Sequence, residues 1–389
     1  MEPILVVAGE NSGDKHGAAL IHQFKTKNPS ASFFGIGGDQ MKAEGVELLY
    51  SVKDLSVMGA FELISHLPRL KKIFTRIKKA VKKRHPAVAI LIDSPDFNLR
   101  LAKVLKKQST PVLYYISPTV WAWRKGRLKT IQKYVNQMML IFPFEEELYR
   151  ENGVEAVYVG HPLLERMDIS LSKDEFLNKH NLSPEETRIC LMPGSRSSEI
   201  KYHMPILIET IEKLSQEISA EYVLLLAESV EERVIEEHIR KSPQQMRILK
   251  EDRYECMAYC DLILTSCGTA NLEAALVETP FIAFYRISPL TYKLGLPFIK
   301  TRTYSIVNIL ADEDIVPELI QKQFSPEMLS AEVLRILNSD KVRTEMIDHF
   351  KRVKSILGTK KASENASSEL EKLIHRGRAS VNPSLSSSR

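Results

Sequence analysis

Cysteine is scarce in this chain of 389 residues: Cys190, Cys256, Cys260 and Cys267 are the only four. So small a number excludes a disulfide-stapled secreted scaffold. Cys256 and Cys260 are four apart, as on one helix face, but no nearby histidine or cysteine pair completes a zinc set, and reduced cytosolic thiols are the expectation. No apolar run approaches the ~18 residues of a membrane span. Met1-Glu2-Pro3 leads straight into a strand-like segment, without the basic region and cleavage site of a signal peptide. These absences point to a cytoplasmic protein. The fingerprints GxGxxG and GxxxxGK[ST] are missing as well, which disfavours NAD and P-loop ATP chemistry.

What is present suits a globular α/β protein. Apolar residues make up 44% and charged residues 26%, and the length suggests two or three domains. Short continuous apolar runs alternate with helical patterns: Ile4 to Ala8, Val88 to Asp93, Val112 to Ser117 and Met138 to Phe142. Unalternating runs of this kind predict parallel strands covered on both faces, hence a doubly wound sheet. Residues 166–187 are polar and lack a strand, and alternation resumes at Arg188 to Met192, Tyr222 to Ala227, Arg247 to Leu249, Leu262 to Thr265 and Phe281 to Tyr285. The expected organisation is two Rossmann-like domains, 1–165 and 188–340, joined by a linker at 166–187. Helices at 341–375 and a disordered serine-rich tail at 376–389 follow.

Two loops of the second half suit a diphosphate. Cys267-Gly268-Thr269 follows a strand and opens a helix carrying Glu273, so backbone N–H groups and the positive helix end face the loop. A carboxylate on the first turn can accept the hydroxyls of a ribose. The same residues also suit a plain strand-to-helix turn with Thr269 as N-cap. Gly194-Ser195-Arg196 leaves another strand, where Arg196 can offer a charged fork to a departing diphosphate or remain an ordinary surface arginine.

In the first half, Ala8-Gly9-Glu10-Asn11-Ser12-Gly13-Asp14 follows a strand, and Ile92-Asp93-Ser94-Pro95-Asp96-Phe97-Asn98 places two carboxylates past another. Attack by a sugar hydroxyl needs a base, for which Asp93 is the candidate; Asp96 reads as the cap of the helix beginning near Phe97. Arg69 to Arg84 is an amphipathic helix dense in lysine and arginine. Its apolar side suits core packing, while Lys78, Lys79, Lys82 and Lys83 can attract an anionic membrane surface. The apolar stretch Leu55 to Leu67 suits either a lipid-facing patch or core. No nucleic-acid module accompanies the basic stripe.

AGENSGD, GIGGDQM, VMG (Val57 to Gly59), IDSPDFN, SPTVWAWR (Ser117 to Arg124), PFE (Pro143 to Glu145), GHP (Gly160 to Pro162), LMPGSR, CGTANLE and SIVN (Ser305 to Asn308) occur in this order. The set resembles the lipid-A-disaccharide synthase family, bacterial glycosyltransferases of the GT-B fold, over roughly residues 4–340. The resemblance implies two Rossmann-like domains facing across a cleft, with the last helices crossing back to the first domain. It also implies an inverting transfer from UDP-2,3-diacylglucosamine to 2,3-diacylglucosamine 1-phosphate (lipid X). The products are a β-1,6-linked tetraacyl disaccharide 1-phosphate and UDP, and neither metal nor cofactor is called for. By resemblance Asp93 is the base, Glu10 and Ser12 face the catalytic centre, and Arg196, Asn308 and Glu273 serve the UDP side together with Gly194, Ser195, Cys267, Gly268 and Thr269. The basic face of the Arg69 to Arg84 helix adds the expectation of a peripheral location, on the inner face of the inner membrane. Oligomeric state is left open. Two residues depart from the family pattern: Cys267 stands where serine is common, and Val307 where proline is common, which predicts a less rigid turn at Asn308. A UDP-N-acetylglucosamine 2-epimerase-like enzyme and a non-catalytic membrane-docking protein are the competing readings.

Overall fold

The computed structural model describes residues 2–55, 62–121, 126–240, 242, 244–295 and 303–381. The Val57 to Gly59 motif lies outside them, as do the end of SPTVWAWR and the side chains of 62–67. The apolar patch expected at Leu55 to Leu67 therefore falls largely outside the description.

Two compact units form: residues 1–165 with 359–389, and 166–358. The first contains β1 (Ile4–Ala8), α1 (Asn11–Lys27), β2 (Phe33–Gly37), α2 (Asp39–Ala43), β3 (Glu47–Ser51), α3 (Glu62–Arg84), β4 (Ala89–Ile92), α4 (Pro95–Lys107), β5 (Val112–Tyr115), α5 (Arg127–Tyr134), β6 (Gln137–Leu140), α6 (Glu145–Glu151) and β7 (Ala156–Tyr158). The second contains α7 (Lys173–His180), β8 (Thr187–Met192), α8 (Ser197–Leu214), β9 (Ala220–Leu225), α9 (Arg233–Ile239), β10 (Met246–Leu249), α10 (Arg253–Ala258), β11 (Leu262–Ser266), α11 (Thr269–Leu276), β12 (Phe281–Tyr285), α12 (Pro289–Gly295), α13 (Ile306–Ala311), β13 (Glu318–Ile320), α14 (Pro326–Leu337) and α15 (Asp340–Leu357). The last helix, α16 (Ala362–Val381), belongs to the first unit.

Both sheets are parallel, in the orders β3-β2-β1-β4-β5-β6-β7 and β10-β9-β8-β11-β12-β13. Strand order reverses between β1 and β4 in one sheet and between β8 and β11 in the other. Ligands of open α/β sheets bind at such points, past the carboxyl ends of the strands. Every residue of β1, β4 and β11 is buried, which explains their unbroken apolar runs.

The segments bordering the second unit follow the expectation in part: α16 crosses back to the first unit as expected, while the linker and α15 belong to the second. Residues 166–187, read as a linker, join the second unit. Ser172 caps α7 by accepting from the Glu175 amide, and Phe176 and Leu177 are buried there. The helical segment expected at 341–375 is split. α15 lies in the second unit, where Phe350 stacks on Phe281 at 5.4 Å. α16 returns to the first unit and adds Ala366, Leu370, Leu373 and Ile374 to the core around Ile4, Phe24 and Phe33. Gln137 donates to Glu369 at 2.5 Å and Asn28 to Glu371 at 2.9 Å, fixing its register. This helix runs through Val381, into the stretch read as a disordered tail; residues 382–389 lie outside the description.

α3 buries Ile73, Ile77 and Val81 against the first sheet, while Lys78, Lys79, Lys82 and Lys83 are exposed. Its arginines are held: Arg84 donates to both oxygens of Glu47 at 2.7 and 2.5 Å, and Arg69 pairs with Asp54. No helix among the described residues is long and apolar enough to cross a membrane.

Candidate active site

The switch point of the first sheet carries Asp93. It follows β4 at φ 48°, and Ser94 follows at φ 43°. Two successive non-glycine residues in the left-handed region cost on the order of 1–3 kcal/mol each, so their surroundings must impose them. Those surroundings are visible. The Asp93 amide donates to the Tyr115 carbonyl at 3.0 Å. Its own carbonyl accepts from the Tyr114 hydroxyl at 2.6 Å and from buried Asn98 at 2.8 Å. Asn98 also donates to the Ile92 carbonyl at 3.0 Å. Gly9 completes the clamp: a Cβ there would lie 2.2 Å from the Ser94 Cβ, so only glycine lets the two switch-point loops touch.

Glu10 ends the other loop. It is exposed, as is Ser12 on the first turn of α1. Burial raises the Asp93 pKa to about 6, with the nearby Glu10 charge adding to the rise and Arg127 opposing it. Asp96, expected as the helix cap, instead sits in the first turn of α4 and accepts from Arg127 at 2.9 Å; Ser94 holds the cap position. Asp14, the last residue of the AGENSGD motif, is buried and structural. It accepts from the amides of Gly38, Gln40 and Met41 at 2.5, 3.1 and 3.1 Å, capping α2.

A second acid stands near β5 and β6 and was not singled out as a candidate from sequence. Glu145 is 1% exposed, and desolvation raises its pKa to about 8. Trp121 donates to Oε1 at 3.2 Å, and Oε2 has no hydrogen-bond partner. Trp121 packs edge-on against Phe144, which stacks on Phe142. Beside them Ser117 and Tyr149 share a hydrogen bond of 2.8 Å. The preceding residue, Ile116, is β-branched yet has φ 67°, a second forced backbone at the end of a central strand.

In the second unit the loops after β8 and β11 flank the other switch point. Gly194, at φ 129°, lies so close to Glu199 that a Cβ would meet Oε2 at 2.4 Å. Glu199 is buried, and its Oε2 accepts from the amides of Ser195 and Arg196 at 2.9 and 3.3 Å. Those two amides are therefore engaged internally, and the Arg196 side chain, 70% exposed, is what this loop offers a ligand. His203 steadies the loop: it accepts from the Arg286 amide at Nε2, 3.0 Å, so Nδ1 carries the proton and donates to the Pro193 carbonyl at 2.6 Å. Burial keeps this imidazole neutral by lowering its pKa.

The loop after β11 differs. Gly268 is the N-cap of α11, open on its Cβ side, and Thr269 is the first helical residue rather than the cap. The first amides of a helix have no intrahelical partner, which leaves those of Thr269 and Ala270 for an anion. Burial, with a contribution from Glu318, pushes the Cys267 thiol well above its ordinary range, so it serves as a neutral group. Glu273 lies one turn further into α11 than expected, on its second turn. It is buried, and Arg253 donates to its Oε2 through both Nε and a terminal nitrogen, at 3.1 and 2.5 Å. Arg253, 20 residues upstream, had no signal in the sequence.

Asn308 is fully engaged within its own unit. Its Nδ2 donates to the Val316 carbonyl and Glu318 at 3.0 and 2.8 Å, and its Oδ1 accepts from the amides of Ile315 and Val316 at 3.0 Å each. Val307 keeps an amide that proline would lack, and donates it to the capping Ser305 hydroxyl at 3.3 Å. The Asn308 turn is thus tied down despite the missing proline.

The Asp93 and Glu10 loops are brought together in one unit, and the Arg196 and Gly268 loops in the other. A family profile described as lipid-A-disaccharide synthetase matches residues 4–372. A curated relative, the lipid-A-disaccharide synthase of Myxococcus xanthus, is 39% identical over 376 residues, covering 96% of this chain and 98% of that protein. Among solved structures, the calicheamicin glycosyltransferase CalG4 superposes with a TM-score of 0.62 at 13% identity, covering 97% of this chain and 99% of that one. A UDP-GlcNAc 2-epimerase from Neisseria meningitidis bound to UDP-GlcNAc gives 0.62 at 10% identity, covering 96% and 100%. At such identities the two structures speak for the fold alone, which is GT-B. The sequence relationship goes further: the chain belongs to the lipid-A-disaccharide synthase family, glycosyltransferases of lipid A biosynthesis.

Proposed function

We propose that the chain transfers diacylglucosamine from UDP-2,3-diacylglucosamine to the 6-hydroxyl of lipid X by direct displacement, with Asp93 as the base. The observation that carries this assignment is the carboxylate at the first switch point, forced into its backbone conformation and made more basic by burial. A pKa near 6 leaves Asp93 mostly ionised at neutral pH and a stronger base than an ordinary aspartate. It takes the acceptor proton as the hydroxyl oxygen bonds to C1 of the donor and the C1–O bond to UDP breaks, inverting that carbon. Glu10, beside it, holds its basicity up, and Ser12 offers a hydroxyl to the acceptor.

The donor falls to the second unit. Arg196 and the free amides at Thr269 and Ala270 balance the charge that grows on UDP as it leaves. Glu273, oriented by Arg253, takes the ribose hydroxyls. Cys267 contributes its backbone rather than its thiol, and Gly194 and Ser195 shape the loop from which Arg196 projects. Asn308 acts indirectly, by holding the 304–318 segment beside Cys267. The exposed lysines of α3 support an attraction of the first unit to anionic lipid, where both substrates reside, and with it a peripheral position at the inner face of the membrane.

The deciding measurement incubates the protein with UDP-2,3-diacylglucosamine, with and without lipid X, and follows products by mass. Disaccharide 1-phosphate and UDP in equal amounts, only when lipid X is present, are expected. A free epimerised sugar formed without lipid X would overturn the proposal in favour of epimerase chemistry.

A further inference from the structure

Three of the four cysteines converge inside the second unit, Cys190 from far upstream of the Cys256–Cys260 pair. Cys190 lies on β8, Cys256 on α10, and Cys260 just past that helix. Their sulfur atoms all lie within 4.8 Å of one another, with Cys190 and Cys256 at 3.9 Å. The residues are 0%, 0% and 7% exposed. The sequence had offered only the Cys256–Cys260 pair; the sheet supplies the third sulfur.

We propose that Cys190, Cys256 and Cys260 form a three-sulfur site for one soft monovalent metal ion, of the copper(I) class. The size fits. Three sulfurs around a central ion at about 2.3 Å stand about 4.0 Å apart, so the Cys190–Cys256 side already has the required length and the other sides need to close by at most about 0.8 Å. The chemistry selects the ion. All the donors of the set are sulfur, which favours soft ions over those that prefer oxygen or imidazole. A structural zinc site wants four ligands in a tetrahedron, and among the described residues this cluster offers three.

The charge balances in part. Loading releases three thiol protons as three metal–sulfur bonds form, and one monovalent ion with three thiolates carries a net charge of minus two. The Arg253 guanidinium, already ion-paired to Glu273, also acts electrostatically on Cys190, so it offsets only a small part of that charge and the loaded site stays anionic. A disulfide is a poorer use of the cluster, because Cys190 and Cys256 would have to close from 3.9 Å to about 2.05 Å within a packed core.

The test uses the full chain, reduced and anaerobic, titrated with copper(I) against a chromophoric copper(I) chelator. One equivalent should be retained per chain, with X-ray absorption showing three sulfurs at about 2.3 Å. Cys256→Ser and Cys260→Ser should weaken retention by at least about tenfold, whereas Cys267→Ser should not. Complete stripping of the intact protein by the chelator would overturn the proposal. So would retention unaffected by the cluster variants, or tighter retention of zinc(II) than of copper(I). Should the serine variants fail to fold, the titration and X-ray absorption of the unmodified chain decide alone.

Discussion

Asp93 and Glu145 show how the same carboxyl group is put to different uses by its surroundings. Both are carboxyl groups raised by desolvation, but to about 6 and about 8, so at pH 7 one is mostly charged and the other mostly neutral. Activity should therefore rise with pH through about 6 as Asp93 loses its proton, and level off above it. Asp93→Asn should abolish transfer while leaving UDP binding intact. The stability effect has a definite sign. Because the folded pKa exceeds the unfolded one, wild type loses stability as pH rises from about 4 to about 6, so the asparagine variant should match or exceed it at pH 8. The linkage limit is about 3 kcal/mol, read as a higher Tm in calorimetry. Near-normal transfer by Asp93→Asn would remove Asp93 from the role of base.

For Glu145 the amide is the natural mimic of a neutral acid. Glu145→Gln should keep transfer at pH 7, and its stability should gain on wild type as pH rises from about 4.5 to about 8, the window over which folding must retain the proton. Glu145→Ala leaves Trp121 without its acceptor and opens a cavity, so a Tm loss corresponding to about 2 kcal/mol or more is expected from thermal unfolding. A glutamine variant as damaged as the alanine one would mean that the ionised form is needed. The importance of PFE was legible as a motif. The burial of its acid was not, because its partners Ser117 and Trp121 come from the end of another strand, and only the fold brings them to it. Arg253 and His203 were hidden for the same reason: each works on a loop outside its own segment.

At the scale of elements, legibility mostly followed position in the sheet, the edge strand β10 being the exception. The central strands β1, β4, β5, β8 and β11 are buried on both faces and announce themselves as unbroken apolar runs. β3, β7 and β13 lie at sheet edges, are short or partly exposed, and carry no such run. α3 was legible as an amphipathic helix from Arg69 to Arg84, where its apolar stripe does pack inward, but not over its first turns from Glu62. The lysines left over carry the membrane prediction: neutralising Lys78, Lys79, Lys82 and Lys83 together should weaken binding to anionic liposomes, each charge being worth up to about 1 kcal/mol at low salt. Sedimentation with vesicles checks it, and binding indifferent to both salt and these changes would discard the membrane role of this face.

For the whole molecule, α16 matters most. Without it, Ile4, Phe24 and Phe33 would lose part of their cover, and Gln137 and Asn28 would lose their acceptors Glu369 and Glu371. A chain ending at Gly358 should therefore expose apolar surface and bind a hydrophobic dye, while the second unit keeps its own melting transition in calorimetry. A truncated protein with an unchanged transition for the first unit would show that α16 is dispensable. The wrap-around path also sets an order of events during synthesis. The ribosome delivers the sheet of the first unit early, yet withholds its final covering helix until every residue of the second unit has been made. Throughout that interval the nascent chain carries a half-dressed apolar face, so a trigger-type chaperone or a fast-folding second unit has the most to do between the emergence of β7 and the arrival of α16.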